Sequence, residues 1–161
     1  MRTLLLLLLF SLSARAQILS SSPSSLDLAG KPIYVGLQES TVVRKAAALL
    51  AEDLEKVTGK PSLLVHTAPE RDFIWVGEAK GALAAALTGE DLPRDWEAFR
   101  ISYHKKKNAL LVAGADRRGT AFGIFTLSRE IGVSPWYWWA DVPVRKQSKL
   151  YIKADLNVVD A

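Results

Sequence analysis

The first half of the chain places one helical pattern of apolar residues between short apolar runs. Residues 32–38 are such a run and predict a strand. The next apolar residues step by four and three, which places them on one face of a helix that Ser40 or Thr41 caps and Gly59 ends; they are Val43, Ala47, Leu50, Leu54 and Val57. Residues 62–65 and 73–76 predict two more strands, the second buried on both faces because it has no polar break, and residues 77–87 predict a short helix.

In the second half the apolar residues first alternate and then return to a helical period. The alternation of Phe99, Ile101 and Tyr103 with polar residues predicts a half-exposed antiparallel strand. Residues 105–108 turn the chain into a returning strand at 109–113. Asp116 predicts the start of a second long helix and Gly132 its end. The predicted apolar face of this helix carries Phe122, Ile124, Phe125, Leu127 and Ile131.

This order of elements, β-α-β-β-α-β-β-α, predicts an α/β fold in which helices pack on a mixed β-sheet. We assign residues 31–153 to this domain, preceded by a mobile, Ser-rich lead-in at 17–30 and followed by the start of a linker at 154–161. A complete (β/α)8 barrel is excluded because that fold needs about 250 residues, whereas this chain has 161.

The first 16 residues have the pattern of a secretory signal peptide. Arg2 precedes an apolar run at residues 4–10, and the triplet Ala14-Arg15-Ala16 has small residues where signal peptidase requires them. The run is shorter than the roughly 20 residues that cross a bilayer. We therefore expect cleavage after Ala16 and a secreted or periplasmic protein that is not held in the membrane.

Composition excludes several classes of chemistry. The chain has no cysteine and only two histidines, which are well separated, so we expect no metal site and no cofactor. Cleavage would remove Arg2 and Arg15 and lower the net charge from +4 to +2, which gives no reason to expect a nucleic-acid partner. The acidic pairs are adjacent residues that do not face each other. We therefore find no catalytic residues in the chain.

The segment from Gly114 to Thr120 lies between a strand and a helix, where a phosphate-binding loop would lie. Such a loop requires a lysine at the position that Thr120 occupies. We therefore interpret Asp116 as a helix cap, and Gly119 and Gly123, four residues apart, as the positions that let the helix lie close to the sheet.

Four successive aromatic residues, Trp136, Tyr137, Trp138 and Trp139, form the most unusual feature of the sequence. Because prolines flank them at 135 and 143, we expect an extended or turning segment rather than a regular helix. Flat aromatic faces stack on the apolar face of a sugar, and Asp141 could accept hydrogen bonds from its hydroxyl groups. The alternative is that the rings fill the interface between this domain and another one.

The string GADRRGTAFGIFTLSREIGVSPWYWWADVPVRKQSKLY, which starts at Gly114, resembles the N-terminal domain of glycoside hydrolase family 115, the xylan α-1,2-glucuronidases. The order of the preceding elements is similar to the small domain before the barrel in other α-glucuronidases and in β-hexosaminidases. The resemblance implies an inverting glycosidase whose two carboxylates belong to a following (β/α)8 barrel, so it assigns no catalytic residue here.

The resemblance therefore implies a non-catalytic N-terminal domain of a secreted enzyme that acts on a polysaccharide such as glucuronoxylan. Its expected partner is the missing catalytic barrel in cis, and the segment from Trp136 to Val144 is the expected bridge toward it. Two alternatives stay open. One is a free-standing carbohydrate-binding domain that uses the same tryptophans, and the other is an exported interaction or scaffold protein.

Overall fold

The computed structural model describes residues 18–23, 25–80 and 93–160. In these residues the strands are β1 (Ile33–Val35), β2 (Leu64–Val65), β3 (Ile74–Glu78), β4 (Phe99–His104), β5 (Ala109–Gly114) and β6 (Asn157–Asp160). The helices are α1 (Thr41–Thr58), α2 (Arg117–Ile131) and the single turn α3 (Tyr137–Ala140), and a 3-10 turn (Lys105–Lys107) joins β4 to β5. The signal peptide predicted at residues 1–16 lies outside the described residues.

The described strands form one mixed sheet in the order β2-β1-β3-β5-β4-β6. The pairs between β1, β2, β3 and β5 are parallel, whereas β4 runs antiparallel to both of its neighbours. Helices α1 and α2 lie side by side on one face. The predicted α/β class, with helices packed on a mixed sheet, is confirmed.

Strand β3 is buried on both faces, as its unbroken apolar run predicts. Ile74 and Val76 face the two helices, while Trp75 belongs to a second buried cluster on the opposite face. There the Trp75 ring makes edge contacts with Tyr34, with ring centroids 5.3 Å apart, and also packs near Phe73. This strand is therefore the centre of the domain.

Helix α1 follows its predicted pattern throughout. The Ser40 side chain accepts a hydrogen bond from the Val43 N–H, and Gly59 ends the helix in the left-handed conformation with φ of 72°. All five residues of the predicted apolar stripe are buried.

Helix α2 begins after Asp116 and ends at Gly132, as predicted, but only some of the residues assigned to its apolar face are buried. Ile124, Leu127 and Ile131 are buried, whereas Phe122 and Phe125 are 43% and 47% exposed, so their assignment to the buried face is wrong. The geometric reason is that residues two apart lie about 160° apart around a helix, so Phe122 cannot share a face with Ile124.

The lead-in at residues 17–30 was expected to be mobile, and its described residues correct that expectation. Ile18, Leu26 and Leu28 are buried, because the segment pairs with the chain at residues 150–153. The Asp27 carboxylate accepts hydrogen bonds from the backbone N–H groups of Leu150 and Ala29. Burial alone would raise the pKa of Asp27, but these bonds and the nearby Lys149 outweigh it and lower the pKa. The apolar residues that lie among the serines are therefore part of the core, which the Ser-rich composition does not predict.

Two other boundaries also differ from the prediction. Residues 157–160, expected within a linker, form β6, which pairs with β4 so that Phe99 lies opposite Asp160. Gly77 and Glu78, expected to begin a short helix, belong to β3. Residues 81–87 of that predicted helix lie outside the described residues.

Candidate functional site

The aromatic segment, expected to be extended or turning rather than a regular helix, forms the single helical turn α3. Helix α3 fits between Pro135 and Pro143. Pro135 precedes the helix, where its missing N–H removes no helical hydrogen bond. The Trp136 N–H donates to the Ser134 hydroxyl, and the Ala140 N–H donates to the Trp136 carbonyl. A proline at each side therefore limits the helix to this turn.

The aromatic side chains of this segment have different environments. Trp136 and Trp139 are 64% and 84% exposed. Tyr137 is half-buried and packs against the core, with the Lys56 Nζ 5.1 Å from its ring centroid. Asp141 ends the turn in the left-handed conformation and is exposed. The side chain of Trp138 lies outside what the structure describes. The segment therefore offers at least two free indole faces.

The chain that follows α3 is held against the ends of both long helices. The Arg145 N–H donates to the Gly132 carbonyl, and the Gln147 N–H donates to the Val57 carbonyl. Both acceptors lie at helix C-termini, where backbone carbonyls lack partners within the helix. These bonds hold residues 145–147 against the C-terminal ends of α1 and α2.

A groove runs along the outer face of α2, at a place where the sequence predicted no site. Its larger part has a volume of about 510 Å³ and lies between Trp96, Phe122, Phe125, Arg129 and the edge of the sheet at Asp160. A second depression of about 270 Å³ continues it toward Leu49 and Val133. Phe125, Arg129 and Pro135 line both parts, so the groove ends beside the aromatic segment.

One wall of the groove is organised by Glu97. Its carboxylate accepts a 2.6 Å hydrogen bond from the Trp96 indole N–H and forms a 2.8 Å ion pair with Arg118. The Glu97 backbone has φ of 62°, a conformation that costs a non-glycine residue free energy, and its N–H donates to the Asp116 carboxylate. Trp96 is 75% exposed, yet its indole is held in place.

Asp116 connects this wall to the start of α2. Its carboxylate accepts hydrogen bonds from the backbone N–H groups of Glu97, Gly119 and Arg118. The bond from Glu97 contributes most to lowering the pKa of Asp116, followed by that from Gly119, and together with the Arg118 N–H and charge they outweigh the opposing effect of burial. Asp116 and Trp136 lie at opposite ends of α2, so the structure does not bring these two sequence-predicted positions together.

The glycines of α2 lie on its inner face, close to the sheet. A Cβ at Gly119 would overlap the carbonyl oxygen of Ala98, and one at Gly123 would lie 2.9 Å from a methyl group of Val112. A Cβ at Gly114 would overlap the backbone of Thr120. The helix therefore lies closer to the sheet than it could if these positions carried a side chain.

Sequence reasoning missed Trp96, Phe122, Phe125 and Arg129 as surface residues. A signal for three of them was present, because at 100° per residue Phe122, Phe125 and Arg129 fall within one stripe. That stripe lies opposite the face that Ile124, Leu127 and Ile131 share. No such signal exists for Trp96, since only the fold brings it from the segment before β4 to the stripe.

Within residues 18–23, 25–80 and 93–160, no group of three or more metal-binding side chains is close enough to hold a metal ion. Over the same residues, none of the helices combines the length and the apolar character that crossing a bilayer requires.

Comparison with known proteins supports a domain of glycoside hydrolases. No protein-family model matches the chain, and no curated protein sequence matches it. Among solved structures, a family GH115 4-O-methyl-α-glucuronidase with specificity for decorated arabinogalactans superposes with a TM-score of 0.74 and 30% identity, over 85% of this chain and 18% of that one.

Two less similar structures share the fold. The N-acetyl-β-hexosaminidase of Streptomyces plicatus matches with a TM-score of 0.55 and 18% identity, over 89% of this chain and 25% of that one. The GH20 β-N-acetylhexosaminidase of Streptomyces coelicolor A3(2) matches with a TM-score of 0.54 and 18% identity, over 91% of this chain and 25% of that one. The chain thus spans a quarter or less of each of these proteins. It carries a GH115-like α/β domain of a kind that occurs within glycoside hydrolases.

Proposed function

We propose that this chain is the N-terminal, non-catalytic domain of an exported glycoside hydrolase that resembles the xylan α-1,2-glucuronidases. The observation that carries the proposal is the superposition on a GH115 glucuronidase over 85% of this chain, at 30% identity. In that protein the similar domain is 18% of the chain. The reaction, inverting removal of a glucuronic acid side chain, then belongs to carboxylates of a catalytic barrel and not to residues of this domain.

The role of the domain in this proposal is to pack against the catalytic barrel in cis. Trp136 and Trp139, the two exposed tryptophans of the aromatic segment, offer the barrel an apolar surface. Large aromatic residues are typical anchors of protein interfaces. Trp136 and Trp139 are the residues that we assign to this contact.

Activity measurements test the catalytic part of the proposal. The 161-residue chain and the protein from the whole reading frame that contains it would be incubated with glucuronoxylan and, because the similar enzyme acts on them, with decorated arabinogalactans. We expect 4-O-methylglucuronic acid or glucuronic acid to be released by the whole protein and none by the 161-residue chain. Release by the 161-residue chain would show that the chemistry lies in this domain.

The predicted export is tested by N-terminal sequencing. When the gene is expressed with its own first 16 residues, we expect the protein outside the cytoplasm to begin at Gln17. A cytoplasmic product that still begins at Met1 would contradict the proposal of a secreted or periplasmic enzyme.

A second candidate function is carbohydrate binding, which the exposure of Trp139 favours. An indole face that is 84% exposed is free to stack on a pyranose. If this function is correct, the 161-residue chain binds xylan, and Trp139→Ala abolishes binding without unfolding the domain. Trp96→Ala is the matched control, because it removes another exposed tryptophan, 75% exposed, elsewhere on the surface. Equal binding by both variants and the unchanged chain would exclude the aromatic segment as the sugar site.

A further inference from the structure

One edge of the sheet is rich in basic residues. Strands β1, β3 and β5 are parallel neighbours, and their ladder places Ile33, Ile74 and Leu110 side by side. The amino ends of these strands therefore meet at one edge, with about 4.8 Å between neighbouring strands. A basic residue precedes each strand, and the turn that leads into β5 adds two more. We call this group the amino edge; it consists of Lys31, Arg71, Lys105, Lys106 and Lys107.

The basic side chains of the amino edge are not neutralised by ion pairs. Over the part of the chain that the structure describes, none of them forms one. Glu70 and Asp72 adjoin the edge, and the Asp72 carboxylate accepts a hydrogen bond from the Asn108 side-chain amide. The turn beside β4 adds one residue of each sign, Lys153 and Asp155. Positive charge is therefore in excess along this edge at neutral pH.

The opposite ends of the same three strands carry acidic residues. Glu39 follows β1, Glu78 ends β3 and Asp116 follows β5. The basic residue after β3 is paired there, because the Lys80 Nζ lies 2.6 Å from the Glu78 carboxylate. The excess of unpaired basic side chains is thus a property of the amino edge and not of the whole sheet.

The turn that carries three of the lysines is held by hydrogen bonds. The His104 Nδ1 atom accepts a hydrogen bond of 3.2 Å from the Lys107 N–H. The Lys107 carbonyl accepts one from the Asp72 N–H, which connects the turn to the chain before β3. Lys105 and Lys106 are exposed. Charges that stand on an ordered backbone lose less conformational entropy when they bind a ligand.

We propose that the amino edge binds an acidic polysaccharide through the carboxylates of its uronic acid side chains. The choice of polysaccharide rests on the proposed function, because a glucuronic acid side chain is negatively charged at neutral pH. A lysine ammonium group is a compact point charge on a flexible stem, so it can meet carboxylates that are irregularly spaced. The edge would hold the polymer near the protein without taking part in the reaction.

A nucleic acid fits the amino edge less well. Proteins that bind single strands combine positive charge with aromatic rings on which the bases stack, and no residue of the amino edge is aromatic. Arginine, which binds phosphate through two parallel hydrogen bonds, occurs only once among its residues. Sparse carboxylates on a neutral chain therefore match this short row of lysines better than a continuous row of phosphates does.

Binding to two polymers that differ only in charge tests the proposal. The 161-residue chain would be run through affinity gels that contain glucuronoxylan or the same polymer with its carboxyl groups reduced to alcohols. At low ionic strength we expect glucuronoxylan to bind at least about fivefold more tightly, and the difference to shrink as salt screens the charges. Equal binding of the two polymers would overturn the proposal.

Charge reversal locates the site. Lys105→Glu combined with Lys106→Glu is expected to abolish the preference for glucuronoxylan, whereas Lys105→Arg combined with Lys106→Arg should retain it. The matched control is Lys45→Glu combined with Arg117→Glu, which changes the net charge equally at two exposed positions near the opposite ends of the strands. Circular dichroism would establish that each variant is folded. A loss of preference in the control as large as that in the edge variant would overturn the proposal.

The outcomes separate this inference from the proposed function and from other anionic partners. If the whole protein releases uronic acid while the amino edge shows no preference for the acidic polymer, the inference is wrong and the proposed function stands. If the edge prefers the acidic polymer and the whole protein releases no uronic acid, the proposed function is wrong and the binding site stands. Tighter binding to a single-stranded oligonucleotide, or to vesicles of anionic phospholipid, than to glucuronoxylan would identify a different partner and overturn the inference.

Discussion

The two long helices lie side by side on one face of the sheet but differ in how closely they approach it and in the residues that they expose. Helix α1 buries most of its large aliphatic side chains in the core, and the apolar residues that it exposes, Val42 and Leu49, are aliphatic. Helix α2 places Gly119 and Gly123 against the sheet and leaves Phe122 and Phe125 outside. Both helices bury aliphatic side chains in the same core, but α2 also brings glycines against the sheet and exposes two aromatic rings. Of the two long helices, α2 is therefore the one that exposes aromatic surface.

The largest expected effect comes from shortening a buried residue of α1. Leu54→Ala removes a fully buried side chain and leaves a cavity, which should lower the free energy of unfolding by about 2–5 kcal/mol. Urea unfolding followed by circular dichroism measures this. A loss below about 1 kcal/mol would mean that α1 does not supply the core as described, because only exposed substitutions are that mild.

A methyl group added on the inner face of α2 should have the next largest effect. Gly119→Ala places a Cβ where it overlaps the Ala98 carbonyl oxygen, so the helix must move away from β4. Overpacking of this kind typically costs about 1–3 kcal/mol. Gly36→Ala is the matched control, since its Cβ would make only ordinary contact, 3.7 Å from the Glu39 side chain. Equal stability of the two variants would contradict close packing of α2.

The sequence predicted α1 well because a single periodic pattern determines it. In α2 the same reasoning fails for Phe122 and Phe125, because at 100° per residue neither ring lies on the face that the buried aliphatic residues of this helix share. The expectation for residues 17–30 failed because the burial of Ile18 depends on pairing with residues about 130 positions later. The position of Trp96 beside α2 is likewise a long-range result, which no local pattern encodes.

Two substitutions of Asp116, the capping residue of α2, separate the effect of its negative charge from the effect of its hydrogen bonds. Asp116→Ala removes the cap and should cost about 0.5–2 kcal/mol at neutral pH, whereas Asp116→Asn retains a good capping residue. Because folding lowers the pKa of Asp116 below 3.8, its charged form stabilises the domain above that pH, and this stabilisation is lost as the pH falls through the lowered pKa.

The pH dependence therefore distinguishes the two substitutions. We expect the unfolding midpoint of the unchanged domain to fall more steeply below pH 3.8 than that of Asp116→Asn. Asp27, whose pKa is also lowered, should keep part of the slope in both proteins. Identical slopes in the two proteins would show that the Asp116 charge contributes nothing to the start of α2.

The smallest effect on stability is expected from a substitution on the outer face of α2, which directly tests whether its exposed aromatic rings lie outside the core. Phe125→Ser on the 161-residue chain should change the free energy of unfolding by no more than about 0.5 kcal/mol, because the ring is not part of the core. The same substitution should reduce the binding of an apolar dye such as anilinonaphthalene sulfonate, since it removes part of the exposed surface that lines the groove. A loss of stability as large as that of Leu54→Ala would make Phe125 a core residue, and the surface along α2 would then have no unused aromatic ring to offer a partner.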